Sequence, residues 1–171
     1  GIPTATFALA LTRLGEPILS VILDPFEERT FSAKKGKGAR LNGHPIHVNK
    51  NTGLKKSVIG CGKTKAVRNL FPFMDAAYDR GVSFITGLSI HYMCALTAAG
   101  EFSAAIFGGF AAHDMTAGKL LVEEAGGKAT DVFGRVPARF DRDMEGQIVS
   151  NGLLHDEILS ILDEASPRHV T

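Results

Sequence analysis

The residue whose type and setting most invite chemistry is Asp114, within the stretch AAHDMTAGKLLVEEAGG from Ala111 to Gly127. It is one carboxylate among small and apolar residues, placed where a helical pattern begins. Two uses fit that position. As a helix N-cap, its oxygen would accept from the amide of Thr116 or Ala117, worth roughly 0.5–2 kcal/mol. As a metal ligand, it would be a hard oxygen donor suited to Mg²⁺, with His113 beside it and small neighbours that let a ligand approach. One carboxylate cannot hold a catalytic Mg²⁺ by itself, so companions are needed.

Other acidic groups read as ordinary polar surface. Asp24, Glu27 and Glu28 sit between two strand patterns, where a solvated hairpin loop accounts for them. Asp75 and Asp79 share one helix face, and Asp141, Asp143 and Glu145 fall in a polar stretch after Pro137. Ser83 and Ser89 lack a matching His and Asp, and no GxSxG elbow, HExxH or GxxxxGK[ST] occurs. Cys94 lies within an apolar helical pattern and reads as inert core. His91 reads as core or surface, with a pocket-facing role as the alternative.

The elements that must position these groups follow from periodicity. Loose alternation predicts strands over 4–13, 18–23 and 30–34, joined by a LeuGlyGluPro turn and an AspProPheGluGluArg turn, hence an antiparallel meander. The Gly- and Lys-rich segment 34–45 reads as loop, followed by short strands over 46–48, 56–61 and 82–85. Helical spacing covers 64–78, where Pro72 is a possible break, then 89–99 with Gly100 as a stop. Asp114 to Ala125 reads as a helix closed by Gly126-Gly127. Strands over 104–107, 128–132 and 148–150 and a helix over 155–165 complete an α/β alternation.

Composition narrows the classes. The chain has 171 residues, with 19 Lys and Arg against 18 Asp and Glu, so no field of one sign favours nucleic acid or an anionic membrane. The longest basic feature, Lys34, Lys35, Lys37 and Arg40, is confined to a turn. No apolar run reaches the ~18 residues of a membrane span. Two cysteines, Cys61 and Cys94, without a CxxC pair, fit a reducing, cytoplasmic setting. Gly1-Ile2-Pro3 runs into the first strand with no polar flank, which points to a chain that was trimmed or continues from another segment.

Three ordered segments resemble the inositol monophosphatase family, within the Mg²⁺-dependent, lithium-sensitive sugar phosphatases. They are Ala33 to Ala39 (AKKGKGA) with Leu41-Asn42-Gly43, then His113-Asp114 with Ala117-Gly118 and Glu124 to Gly127, and finally Ser150-Asn151-Gly152. The resemblance covers nearly the whole chain. It implies an α/β fold, part of a layered α-β-α-β-α sandwich, with 1–62 as the later strands of the first sheet and the glycine-rich loop, and 63–171 as a smaller α/β layer, forming one unit without a linker.

The resemblance also implies site residues. Asp114 matches the family's metal aspartate, with His113 in place of the tryptophan before it. Ser89 matches one member of a substrate-lining Gly-Ser/Thr pair, while Leu88 departs from it. Phe107 stands seven residues before Asp114, where inositol enzymes commonly carry a hydroxyl-contacting glutamate, and an aromatic ring cannot accept that hydrogen bond. These departures direct the resemblance toward another phosphorylated sugar or polyol, such as fructose 1,6-bisphosphate, or a nucleotide bisphosphate. The family's Gly-Glu-Glu and Asp-Pro-x-Asp-Gly-Thr carboxylates are missing. The expectation is therefore a portion of a Mg²⁺-dependent phosphomonoesterase, inactive alone, acting as a homodimer or with a missing N-terminal half. A noncatalytic relative acting through protein association is the alternative.

Overall fold

Side chains that alternate between apolar and small or polar build the first sheet. The computed structural model describes residues 5–62, 67–109 and 111–166. Within it, β1 (Phe7–Arg13), β2 (Glu16–Asp24), β3 (Arg29–Lys34), β4 (Ala39–Leu41) and β5 (His44–Ile46) form an antiparallel meander in chain order. The pairs Ala8↔Ile22, Ile22↔Phe31 and Phe31↔Leu41 put one set of side chains on the inner face. Ile22, Phe31, Ala33 and Ala39 of that face are buried.

The hairpin β4–β5 lies inside the segment 34–45 that composition assigns to loop. Its turn is Asn42-Gly43, with φ values of 48° and 83°. Both residues tolerate positive φ, as a tight hairpin turn requires. The strands are three residues each and carry Arg40, His44 and Pro45, so they show no apolar alternation to read.

The second sheet has the order β7-β6-β8-β10-β9, from β6 (Val58–Gly62), β7 (Ser83–Thr86), β8 (Ala104–Phe107), β9 (Lys128–Thr130) and β10 (Gln147–Ser150). Strand β6 runs parallel to β7 and β8, while β10 is antiparallel to β8 and β9. Four helices cover it: α1 (Phe71–Tyr78), α2 (Ile90–Ala98), α3 (Thr116–Glu124) and α4 (His155–Ala165). Helix α1 starts later than the 64–78 pattern implies, and residues 64–66 lie outside the described residues. Pro72 falls in its first turn, where the missing N–H has no intrahelical partner to lose.

Helices α2 and α3 lie between the sheets. Their Met93, Cys94, Leu120 and Leu121 share one buried cluster with Ile22 and Phe31 of the first sheet and Phe107 and Val149 of the second. Helices α1 and α4 cover the other face of the second sheet, where Phe73, Ile158 and Leu162 meet Ile59, Ile106 and Ile148. The order sheet, helices, sheet, helices is the expected α/β layering.

Glycine allows the close approach of α2 to α3. A Cβ on Gly118 would stand 2.4 Å from Cys94 Sγ. Burial pushes the Cys94 thiol well up and that of Cys61 up to about 12, so both stay protonated and inert.

Candidate functional site

Asp114 ends a 3₁₀ turn, Ala112–Asp114, that precedes α3. Met115 occupies the helix-cap position, and its own side chain makes no capping hydrogen bond. The helix thus begins two residues later than the Asp114–Ala125 pattern implies, and Asp114 stands one residue before the cap position. The turn closes through the Asp114 amide donating to Ala111 O at 3.0 Å and the Met115 amide donating to Ala112 O at 3.0 Å.

Packing holds this turn from below. Met115 is fully buried against Phe140 and Met144. The Thr116 hydroxyl lies 2.6 Å from Ala112 O and 2.9 Å from Phe140 O, so one side chain ties the turn to the 140–144 segment. Histidine holds it from the side: the His91 Nε2–H donates to His113 O at 3.0 Å. Burial lowers the His91 pKa, which keeps the ring neutral. The Asp114 side chain is 21% exposed and lies 3.7 Å from His113 Nε2, while the His113 ring is 85% exposed.

A cleft of about 450 Å³ opens beside the turn. Ala8 and Ala10 of β1 form one side of it, His91, His113 and Thr116 another, and the 140–143 segment a third. Arg139 donates to Asp141 Oδ1 at 2.9 Å and holds that carboxyl below its usual range. Arg142 stands 3.8 Å from the same carboxylate. The arrangement offers a cation, two carboxylates and two imidazoles around an opening flanked by alanines, which is suited to a polar ligand carrying hydroxyls.

The expected site residues divide. His113 lines the cleft and Asp114 adjoins it in the same turn. Ser89 is the residue before α2, two positions ahead of His91, and its hydroxyl shares a 2.7 Å hydrogen bond with Thr6. Phe107 stands apart from the three: it is fully buried in the core and has no surface to offer a ligand. The sequence offers a pocket-facing role for His91 only as an alternative to core or surface, and presents Asp141 and Asp143 as polar surface; both segments line the cleft. The signal for the latter was available in Phe140 and Met144, two apolar anchors bracketing a polar run.

Much of the remaining signature holds layers together. The amides of Gly36, Lys37 and Gly38 donate to the Glu124 carboxylate at 2.7, 3.0 and 2.8 Å, so the glycine-rich turn is pinned to the end of α3. Asn151 Nδ2 donates to Asn49 Oδ1 and Asn51 O at 2.8 Å each, and its Oδ1 accepts from Leu154 N at 3.1 Å. Asp24 accepts from Phe26 N at 2.9 Å and shapes the β2–β3 turn.

Fold and turn together define a layered α/β protein with an aspartate presented at the start of a central helix. The sequence pattern of the inositol monophosphatase family matches residues 1–166, and the chain belongs to that family. A fructose-1,6-bisphosphatase/inositol-1-monophosphatase of Thermotoga maritima is 29% identical over 164 residues, covering 96% of this chain and 62% of that protein. The Nus factor SuhB of Pseudomonas aeruginosa is 31% identical, covering 78% of this chain and 52% of its own length. Among solved structures, the Thermotoga maritima IMPase superimposes with a TM-score of 0.86 at 30% identity, covering 96% of this chain and 63% of that one. The chain therefore spans less than two thirds of the length of these relatives.

Proposed function

We propose that this chain is a portion of a Mg²⁺-dependent phosphomonoesterase that hydrolyses a phosphorylated sugar or polyol once a further polypeptide segment completes its metal site. Family membership over residues 1–166 carries the reading, together with the resemblance of His113-Asp114 to the family's metal aspartate and an open polar cleft beside that turn. Mg²⁺ in such enzymes activates water and steadies the leaving oxygen of an in-line displacement.

The donors present in this chain do not fit a complete Mg²⁺ site. Among the described residues, no group of three or more His, Cys, Asp or Glu side chains comes together to hold a metal ion. A hard cation of this kind demands near-octahedral oxygen coordination, which Asp114 alone cannot provide. What this chain contributes is one positioned carboxylate, the His91 and Thr116 supports that keep it in place, and the polar rim of the cleft.

The substrate class rests on that rim and on the Thermotoga maritima relative, whose name covers both a sugar bisphosphate and inositol monophosphate. His113 and Ser89 stand as substrate-side residues. Similarity to a Nus factor favours a second reading, in which the chain acts through protein association and not through catalysis.

A fusion tests the first reading. The upstream part of the Thermotoga maritima relative is joined to residues 1–171, and phosphate release is measured with Mg²⁺ on inositol monophosphate and fructose 1,6-bisphosphate. The fusion releases phosphate, its Asp114→Asn form does not, and the 171-residue chain alone does not. Release by the chain alone, or an equally active Asp114→Asn fusion, refutes the assignment.

A further inference from the structure

His91 holds the Asp114 turn with one ring nitrogen and leaves the other unused. It sits in the first turn of α2, with its Nε2 at 3.0 Å from His113 O. A carbonyl oxygen can only accept, so Nε2 carries a proton. Burial favours the neutral ring, and a neutral imidazole has a single N–H. Nδ1 is therefore a bare acceptor, with its lone pair in the plane of the ring.

The fold fixes that ring from both sides. The peptide group joining His113 to Asp114 is held twice, its N–H donating to Ala111 O at 3.0 Å and its C=O accepting from His91. On the helix side, Met93 and Cys94 follow His91 closely and are fully buried, which anchors the first turn of α2. Nδ1 has no hydrogen-bond partner among the described residues. The buried side-chain nitrogen or oxygen that lacks a partner among them is Gln147 Oε1, so the unengaged Nδ1 of half-buried His91 is reached by solvent. The opening that His91 lines is the cleft of about 450 Å³. Other polar groups of the cleft are already engaged: Asp141 accepts from Arg139, and the Thr116 hydroxyl lies against two backbone carbonyls.

We propose that His91 is a ligand-binding residue of the cleft, whose Nδ1 accepts a hydrogen bond from a hydroxyl of a polyol. The proposal rests on the reading of the cleft as a site for a phosphorylated sugar or polyol, and it names a contact that recognises the sugar part. A hydroxyl suits the lone pair because it can donate, whereas an ionised phosphate oxygen is an acceptor and would leave both groups unpaired. The ring thus orients such a ligand, with hydroxyls toward α2 and phosphate away from it. Its acceptor is pre-set, since the bond to His113 O has already chosen the tautomer.

The probe is myo-inositol, which carries hydroxyls and no phosphate. It is titrated into the 171-residue chain labelled with heavy nitrogen in its histidines, and the ring-nitrogen resonances report which nitrogen holds the proton and whether the bare one accepts. The free chain shows the Nε2–H tautomer at His91. Myo-inositol binds saturably and shifts the His91 Nδ1 resonance, while the Nε2–H signal stays in place. His91→Gln, whose amide supplies both a donor and an acceptor, binds within about threefold of the parent. His91→Lys, which can donate and not accept, binds about three- to tenfold more weakly. Circular dichroism checks the fold of each variant.

Absence of saturable binding overturns the proposal, as does saturable binding that leaves Nδ1 unmoved. So does an Nδ1–H tautomer in the free chain, or a folded His91→Lys variant that binds like the parent, because the residue would then only hold the turn. The titration uses neither Mg²⁺ nor phosphate release. An inactive fusion with a responding Nδ1 therefore counts against the phosphatase reading alone, and an active fusion with an unmoved Nδ1 against this contact alone.

Discussion

Protonation of His155 is expected to destabilise the folded chain as the solution is made acidic. The imidazole is fully buried at the start of α4. Its Nε2 lies 2.9 Å from Thr130 Oγ1, and its Nδ1 lies 2.8 Å from Ser150 Oγ. The Thr130 hydroxyl gives its proton to Asp131 O at 2.8 Å, so it can only accept from the ring. Nε2 therefore carries the proton, and Nδ1 accepts from the Ser150 hydroxyl. A second proton on the ring would face that hydroxyl, in a site where burial and then the nearby Lys128 charge push the His155 pKa down to about 4.

The sign follows from a native pKa below the unfolded value of 6.5. The stabilisation is fully present above about pH 6.5 and is lost as pH falls toward 4, because the unfolded chain takes up the proton first. At about 1.4 kcal/mol per unit, the full loss is about 3.5 kcal/mol, of which about 2.5 kcal/mol has gone by about pH 4.5. Carboxylates also titrate in this range, so the measurement is a difference. Urea unfolding of the parent and of His155→Gln is compared at about pH 7.5 and about pH 4.5. The parent loses about 2–3 kcal/mol more than the variant. Equal losses, or a native imidazole that titrates near its ordinary value, refute the reasoning.

Two further perturbations probe the scaffold around Asp114. Gly118→Ala sets a methyl 2.4 Å from Cys94 Sγ and 2.7 Å from Cys94 Cβ. The helices must separate, at a cost of about 1–3 kcal/mol in denaturant unfolding, and Cys94→Ala in the same chain restores only part of the loss. Glu124→Ala removes the shared acceptor of the Gly36, Lys37 and Gly38 amides. It costs about 1–2 kcal/mol, and amide exchange accelerates at those three residues while the core of α3 stays protected.

Local pattern made most of the architecture legible. Helix α4 is readable to its ends because Ile158, Ile161 and Leu162 recur at helical spacing on one buried face. The meander is readable because β2 and β3 alternate buried and exposed side chains over long enough runs. The hairpin β4–β5 was hidden, since its strands are too short to alternate and only Asn42-Gly43 marked it. Helix α3 starts at Thr116 and not at Asp114, because the buried side chain of Met115 and the two contacts of the Thr116 hydroxyl draw the preceding residues into a tighter turn.

Sequence by itself determined the family and, apart from the hairpin β4–β5, the order of strands and helices, since these depend on residue type, spacing and short-range periodicity. Only the tertiary structure decided what surrounds Asp114, because His91 and the 140–144 segment reach its turn through contacts between residues distant in the chain. Burial was likewise a tertiary matter. Phe107 and Leu9 are both apolar strand residues, yet one is enclosed in the core beneath α2 and the other faces water on a sheet face that no described helix covers.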